Sequence, residues 1–309
     1  MPCPYERLMQ KLIWRFSPSL VEAELENLLP ALPDGAERGL VSLREAMRCG
    51  TLGGGKLTRP QLLLEAAALV GGPDFRIEAA LGAACALELI HSYSLIHDDL
   101  PAMDDAKTRR GKPCCHVEWG EANAILAGDA LQTLAFEAIT HCENDPKIVL
   151  QVVRLIAQAS GEMGMAGGQA IDLDWTRDGG TRTISGEQLT QLHALKTGAL
   201  IRVAAHAGAV LGGGNDDQIA HLRAYGAFLG RAFQLWDDVL DVIGDPNVMG
   251  KASSDAENDK MTAPAVFGLE NAQRLAREAS ENAVAALEPF GTEAQTLRNL
   301  ARFVVQRDK

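Results

Sequence analysis

The 309-residue chain is poor in aromatic residues, has no excess of basic charge, and contains no long apolar run. Aromatics make up 5% of it, yet 47% hydrophobic and 23% charged residues leave enough apolar material for a sizeable core. Lys and Arg number 29 against 41 Asp and Glu, and the net charge of −12 argues against nonspecific binding to nucleic acid or anionic membranes. The six cysteines form no CxxC pair of the kind that binds zinc. Two of them, Cys114 and Cys115, are adjacent, which suits neither a paired metal site nor an ordinary disulfide framework, so reduced thiols are expected. The first 16 residues spread their charges and lack the apolar core of a secretion signal. No apolar run reaches the roughly 18 residues of a membrane span. The best stretch, Ala199–Leu211, is interrupted by Arg202 and His206. A cytoplasmic protein without a membrane span is the expectation.

Also missing are internal repeats, low-complexity tracts, long flexible linkers and convincing strand alternation. Helical periodicity takes their place. From Leu222 the apolar residues fall at Tyr225, Leu229, Phe233, Trp236 and Leu240, the three-or-four spacing of one helix face. Residues 78–97 and 122–140 are rich in the strong helix formers Ala, Leu and Glu. Breaks fall at Gly71-Gly72-Pro73, Asn144-Asp145-Pro146, Arg177–Gly186, Gly212–Asp217 and Asp245–Asn258. One all-α domain spanning residues 1–309, with about ten or more helices, is the economical reading.

Against this background stand two acidic clusters about 140 residues apart. The first is Asp98-Asp99-Leu-Pro-Ala-Met-Asp104-Asp105, followed by Arg109-Arg110; the second is Asp237-Asp238-Val-Leu-Asp241, followed by Lys251 and Lys260. Carboxylates this dense repel one another, and burying them unpaired is costly. Cations between them resolve the conflict. Mg²⁺, held by a few carboxylates and sharing its remaining positions with substrate phosphates, is the natural candidate, and the nearby Arg and Lys then read as phosphate ligands.

Asp237 and Asp241 are four apart on a helix and differ by about 40° in azimuth, so they share a face, while Asp238 is offset by about 100°. In the first cluster Asp98 and Asp104 would lie about 120° apart on an ideal helix. Pro101 between them lacks a backbone donor, so the helix is expected to bulge or end there and bring Asp104 back towards Asp98. The segment Gly50-Thr-Leu-Gly-Gly-Gly55-Lys56 nearly spells a Walker A loop, but Leu57 occupies the hydroxyl position that would hold magnesium and no strand precedes it. Its glycines could still let backbone approach a phosphate, with Lys56 and Arg59 supplying charge.

These residues resemble those of the short-chain trans-prenyltransferases, the polyprenyl synthetase family, and most closely its bacterial farnesyl-diphosphate-forming branch. The resemblance runs over nearly the whole chain. Gly54-Gly55-Lys56-Leu-Thr-Arg59-Pro60 is similar to the GGKxxRP segment, and residues 90–105 to the first aspartate-rich motif in its longer DDxxxxD form. Lys196-Thr197-Gly198 and Phe233-Gln234-Leu-Trp-Asp237-Asp238-Val-Leu-Asp241 are similar to the later motifs. The resemblance implies the isoprenoid-synthase fold, an all-α helical bundle around a central cavity, usually a homodimer.

It also implies head-to-tail condensation of isopentenyl diphosphate with an allylic diphosphate, dimethylallyl or geranyl. In such a family three Mg²⁺ ions, held here by Asp98, Asp104 and Asp237, clamp the allylic diphosphate, with Arg109, Lys196 and Lys251 helping. Lys56, Arg59, His91 and Arg110 would hold the diphosphate of isopentenyl diphosphate. Lys196, Thr197 and Gln234 would direct dipoles at the allylic cation. The protein needs no nucleophile of its own, consistent with the absence of a Ser-His-Asp or Cys-His signature. His97, beside the acids, is expected to be structural. The tail Arg307-Asp-Lys309 resembles a basic segment that closes over substrate.

Tyr93 stands five residues before Asp98, about 7.5 Å further along a helix, where a bulky aromatic would floor the pocket. In the resembled family that arrangement accompanies a fifteen-carbon product; the plain alternative is a core tyrosine whose hydroxyl is paired elsewhere. Departures from the pattern are Ala106 and Lys107 in place of further acids, Leu57 for a common arginine, and Ala263 for a common tyrosine. Geranylgeranyl diphosphate synthase is the nearest competing reading. A non-catalytic subunit of a heteromeric synthase would lose aspartates that survive here, and a terpene cyclase would lack the GGKxxRP segment.

Overall fold

The computed structural model of the chain describes residues 14–31, 35–52, 54–177, 183–243 and 261–307. Its helices are α1 (Pro18–Leu28), α2 (Arg38–Leu52), α3 (Thr58–Gly71), α4 (Leu81–Asp98), α5 (Cys115–Trp119), α6 (Glu121–Ile139) and α7 (Pro146–Ser160). They continue as α8 (Met165–Arg177), α9 (Gly186–His193), α10 (Ala199–Leu211), α11 (Asp216–Ile243), α12 (Ala263–Phe267), α13 (Leu269–Ala286) and α14 (Gln295–Val304). Among the described residues the sheet content is one two-stranded hairpin, Thr108–Arg109 with Lys112–Pro113. The all-α expectation is met.

Two helices form the centre. In α10 every residue except Arg202 and His206 is buried, and α4 is buried over most of its circumference from Gly82 to Ile96. Helices apolar all round belong inside a bundle, where neighbours cover every face. α4 packs on α6, while α10 packs on α3, α7 and α11. α13 and α14 complete the layer over α11. Amphipathic helices make the outside, and their starts are written locally. Asp145 accepts from Lys147 N at 2.8 Å with Pro146 at the first helical position, and Ser185 and Gln188 cap each other reciprocally.

The apolar stretch differs from expectation in one respect. A π-helical segment, Ala194–Gly198, joins α9 to α10 without a break, so the continuous helix Gly186–Leu211 is 26 residues long and contains an 18-residue window of mean hydropathy 1.2. By length and composition it could cross a membrane, but 67% of its apolar window is buried inside the bundle. It is the inner helix of the fold.

Candidate active site

α4 ends at Asp98. The chain then folds back, with Asp104 N donating to Asp98 O at 2.9 Å and Asp105 N to Leu100 O at 3.1 Å. Pro101 stops the helix and the loop returns Asp104 beside the helix end, as its sequence implied. Asp105, Arg110 and Leu57 are the non-glycine residues with positive φ (47°, 54° and 48°) among those described. All three adjoin site residues. Left-handed backbone costs a side chain on the order of 1–3 kcal/mol and persists where the surroundings enforce it. At the hairpin tip Arg110 and Gly111 (φ 54° and 75°) form a two-residue turn whose hand matches strand twist, a position glycine or asparagine usually fills. Strain there presents Arg110 next to Arg109.

The two arginines take different partners. Arg109 forks onto Asp99, with Nε 3.0 and 2.9 Å from its two oxygens and Nη2 2.6 Å from Oδ1. Asp99 is 3% exposed. This bidentate, charge-assisted pairing outweighs burial and raises the Arg109 pKa above its usual value. Cys114 also bonds to Asp99, and burial together with that carboxylate pushes its thiol up to about 12. Arg110 lies in the field of Glu88 instead. A Cβ on Gly55 would lie 2.8 Å from Glu88 Oε1 and 3.5 Å from Arg110 Nη1, so the missing side chain of Gly55 leaves both groups room.

Arg59, Glu88, His91 and Arg110 form one electrostatic cluster. Burial lowers the Arg59 pKa, and Glu88 and Asp237 oppose the shift. Burial raises the Glu88 pKa against the pull of Arg59 and Arg110. The His91 imidazole is held well below its usual pKa by burial and by Arg59, Arg110 and Arg109. It is therefore neutral near pH 7, offering a hydrogen bond to an anion but no charge.

Asp237 comes from the far side, on α11. Burial raises its pKa, while Arg307 and Lys56 lower it. The GGK segment thus lies within electrostatic reach of the second acidic motif as well as of α4 and the hairpin. Arg307 donates to Asp237 Oδ1 at 2.7 Å, stacks on Phe233 at 4.2 Å, and is 4% exposed. Its carbonyl accepts from Trp236 Nε1 at 3.0 Å. The basic tail expected over substrate begins with an arginine locked inward on a candidate metal carboxylate. Lys251 lies outside the described residues.

The π segment carries Lys196 and Thr197. One extra residue per turn re-aims side chains there, a feature common at functional sites. Lys196 Nζ lies 2.5 Å from Asp172 Oδ2 on α8. α11 approaches the segment closely, since a Cβ on Gly230 would meet Gly198 Cα at 2.9 Å. One turn on, Thr197 Oγ1 donates to Gln234 Oε1 at 2.5 Å. Gln234 Nε2 donates to Asp238 Oδ1 at 2.8 Å.

Tyr93 is 7% exposed, edge-on to His97 with ring centroids 5.9 Å apart, and its hydroxyl bonds to Gln132 on α6. His97 Nε2 meets Ile125 O at 3.1 Å, a structural contact as expected.

The structure places Lys56, Arg59, His91, Arg110 and Asp237 in one cluster, and Asp98 with Asp104 at the helix end beside Arg109. Sequence reasoning missed Glu88, Asp99, Asp172 and Asp238 as partners of the functional cations and amide. Glu88 was visible as a lone charge in the apolar run Ala86-Leu-Glu-Leu-Ile-His91, three residues before His91.

Magnesium fits the donor set. Asp98, Asp104 and Asp237 offer hard carboxylate oxygens, and the guanidinium on Asp237 marks a place where positive charge is stable. No three acidic, imidazole or thiol groups among the described residues converge into a preformed cage.

Known proteins are similar to this chain in sequence and fold. The polyprenyl synthetase family matches residues 41–296. A farnesyl diphosphate synthase of Escherichia coli is 42% identical, over 86% of this chain and 89% of its own length. A chloroplastic geranylgeranyl pyrophosphate synthase of Arabidopsis thaliana is 41% identical, over 86% and 75%. The crystal structure of an FPP/GFPP synthase from Zymomonas mobilis superposes with a TM-score of 0.82 at 38% identity, covering 97% of this chain and 98% of that one.

Proposed function

The chain belongs to the polyprenyl synthetase family, a short-chain prenyl diphosphate synthase by fold and by relatives, and from that premise we propose that it makes farnesyl diphosphate. It does so by condensing isopentenyl diphosphate with dimethylallyl and then geranyl diphosphate. The observation that carries the reading is the charge around the GGKxxRP segment: Arg59 feels Glu88, Arg110 and Asp237, and Lys56 acts on Asp237. Two acidic motifs flanking a cationic cluster that opens to solvent at Lys56 and Arg110 suit two diphosphates, one bound through metal and one bound directly.

Lys56, Arg59 and Arg110, with neutral His91 as a hydrogen-bond donor, hold the diphosphate of isopentenyl diphosphate. Asp98, Asp104 and Asp237 would hold magnesium, which would supply positive charge to the allylic diphosphate and make it a better leaving group. Arg109, Lys196 and Lys251 add charge around the same diphosphate. When its C–O bond breaks, Thr197 Oγ1 and Gln234 Oε1 turn their negative ends towards the allylic carbon. The homoallylic double bond attacks, a C–C bond forms, and the proton lost from the adjacent carbon goes to the departed diphosphate.

The described core leaves Val117, Ile125 and Leu126 exposed at 50%, 45% and 52% on α5 and α6. That apolar group supports a homodimer, which sedimentation would verify. The enzyme is read as cytoplasmic.

Purified protein incubated with isopentenyl and dimethylallyl diphosphates, with and without Mg²⁺, should give a magnesium-dependent fifteen-carbon diphosphate by mass spectrometry. A twenty-carbon product is the second reading. It is favoured by the near-equal similarity to the Arabidopsis protein and by the tie between Tyr93 and Gln132, which suits a core tyrosine equally well. No product from folded protein would refute both.

A further inference from the structure

Behind Gln234 lies a chain of contacts that the reaction as described does not use. Asp238, the second carboxylate of its motif, is 5% exposed and faces inward. Its Oδ1 accepts from Gln234 Nε2 at 2.8 Å, and its Oδ2 accepts from the backbone N–H of Ala263 at 2.7 Å. His193 Nε2, on the last residue of α9, stands 3.4 Å from the same Oδ2, and His193 is 8% exposed. On the other side of the amide, Thr197 Oγ1 meets Gln234 Oε1. Four segments converge on this carboxamide–carboxylate pair: the π segment on the Gln234 amide, α9 and the start of α12 on Asp238, and α11, which carries both.

We infer that Asp238 and His193 are positioning residues that fix which way the Gln234 amide faces. A carboxamide is nearly symmetric in shape but opposite in polarity at its two ends, so packing alone does not choose between its two orientations. Both oxygens of Asp238 accept, Oδ1 from Gln234 Nε2 and Oδ2 from Ala263 N, so the carboxyl group takes the amide nitrogen and leaves Oε1 towards Thr197. The flipped amide would aim N–H at developing positive charge and oppose the reaction. A carboxylate held by one donor can swing; one held also by Ala263 N and flanked by His193 keeps its plane. Preorganised dipoles of this kind stabilise a transition state because they need not reorient as charge develops. The inference rests on the reading that Thr197 and Gln234 face the allylic carbon.

The test is a double-mutant cycle on the full-length protein with Mg²⁺ and both diphosphates, reading kcat and each KM. Gln234→Leu should lower kcat on the order of 100-fold. His193→Leu should lower it about 10-fold with both KM values within about 2-fold, and His193→Gln, which returns an N–H, should recover most of the loss. In the Gln234→Leu background, His193→Leu should cost less than about 2-fold more, because both act through the same amide. Asp238→Asn, equal in volume, should show the same dependence on background and serves if His193→Leu does not fold. Equal losses in both backgrounds, or an unchanged kcat in His193→Leu, would overturn the inference while leaving Gln234 in its role. An unchanged kcat in Gln234→Leu alone would instead refute the assignment of Gln234, and the inference with it.

Discussion

The two acidic motifs reach the same division of labour by different backbone routes. The second lies within a regular helix, where turn geometry sets Asp237 and Asp238 about 100° apart and packing turns Asp238 towards the core. The first straddles the end of α4 and relies on a loop closed by Asp104 N to Asp98 O. In both, the second aspartate of the adjacent pair is buried and committed to a protein donor: Asp99 to Arg109, and Asp238 to Gln234 and Ala263. The first aspartate stays partly accessible. In each pair the inner carboxylate fixes a neighbouring group, Arg109 at Asp99 and the Gln234 amide at Asp238, while under the proposed function the outer one meets the ion.

The comparison breaks most visibly if the outer aspartates are dispensable. Asp237→Asn or Asp98→Asn should lower kcat by on the order of 10³-fold, about 4 kcal/mol of transition-state stabilisation, and raise the Mg²⁺ concentration needed for half-maximal rate. Chelation of Mg²⁺ should abolish turnover of the wild type. Asp99→Asn should behave otherwise. It releases Arg109, so kcat/KM for the allylic substrate should fall about 10-fold and stability by about 1–2 kcal/mol, with an unchanged Mg²⁺ requirement. A shifted Mg²⁺ requirement in that variant would erase the distinction between inner and outer carboxylates.

Tyr93→Ala tests a separate feature of α4. Products of twenty carbons or more are expected by mass spectrometry, and an unchanged fifteen-carbon product would make Tyr93 a core residue held by Gln132. The smallest effect concerns pH. His91 is neutral in the folded protein because its pKa is depressed, whereas the unfolded chain binds a proton near the usual value of 6.5. Between that value and the lower folded one the unfolded state holds more protons, so stability falls as pH drops through this window. His91→Gln should flatten the decline in Tm below pH 6.5, read by circular dichroism; an unchanged slope would place the histidine's depression elsewhere.

Much of the molecule could be read from periodicity. The face from Leu222 to Leu240 falls inside α11, and residues 78–97 and 122–140 became α4 and α6 with small shifts at their ends. The Pro101 turn was legible because proline removes a donor wherever it stands. Less legible were the partners. Arg109 read as a phosphate ligand, and only the hairpin's return shows it forked on Asp99. Arg307 read as a tail residue and is buried on Asp237, 70 positions away. Ala263 read as a substitution for a larger side chain, yet it contributes its backbone N–H to Asp238. Pairings between residues so far apart leave no local pattern.

By itself the sequence determined the helical class, the two acidic motifs and the basic segment that precedes them, because helix faces and motif spacings are local properties of three or four residues per turn. Only the tertiary structure decided which carboxylate of each pair faces outward, that His91 is neutral, and that Glu88 stands among the arginines. Those outcomes depend on burial and on charges brought together from distant segments, and both exist only once the helices have packed.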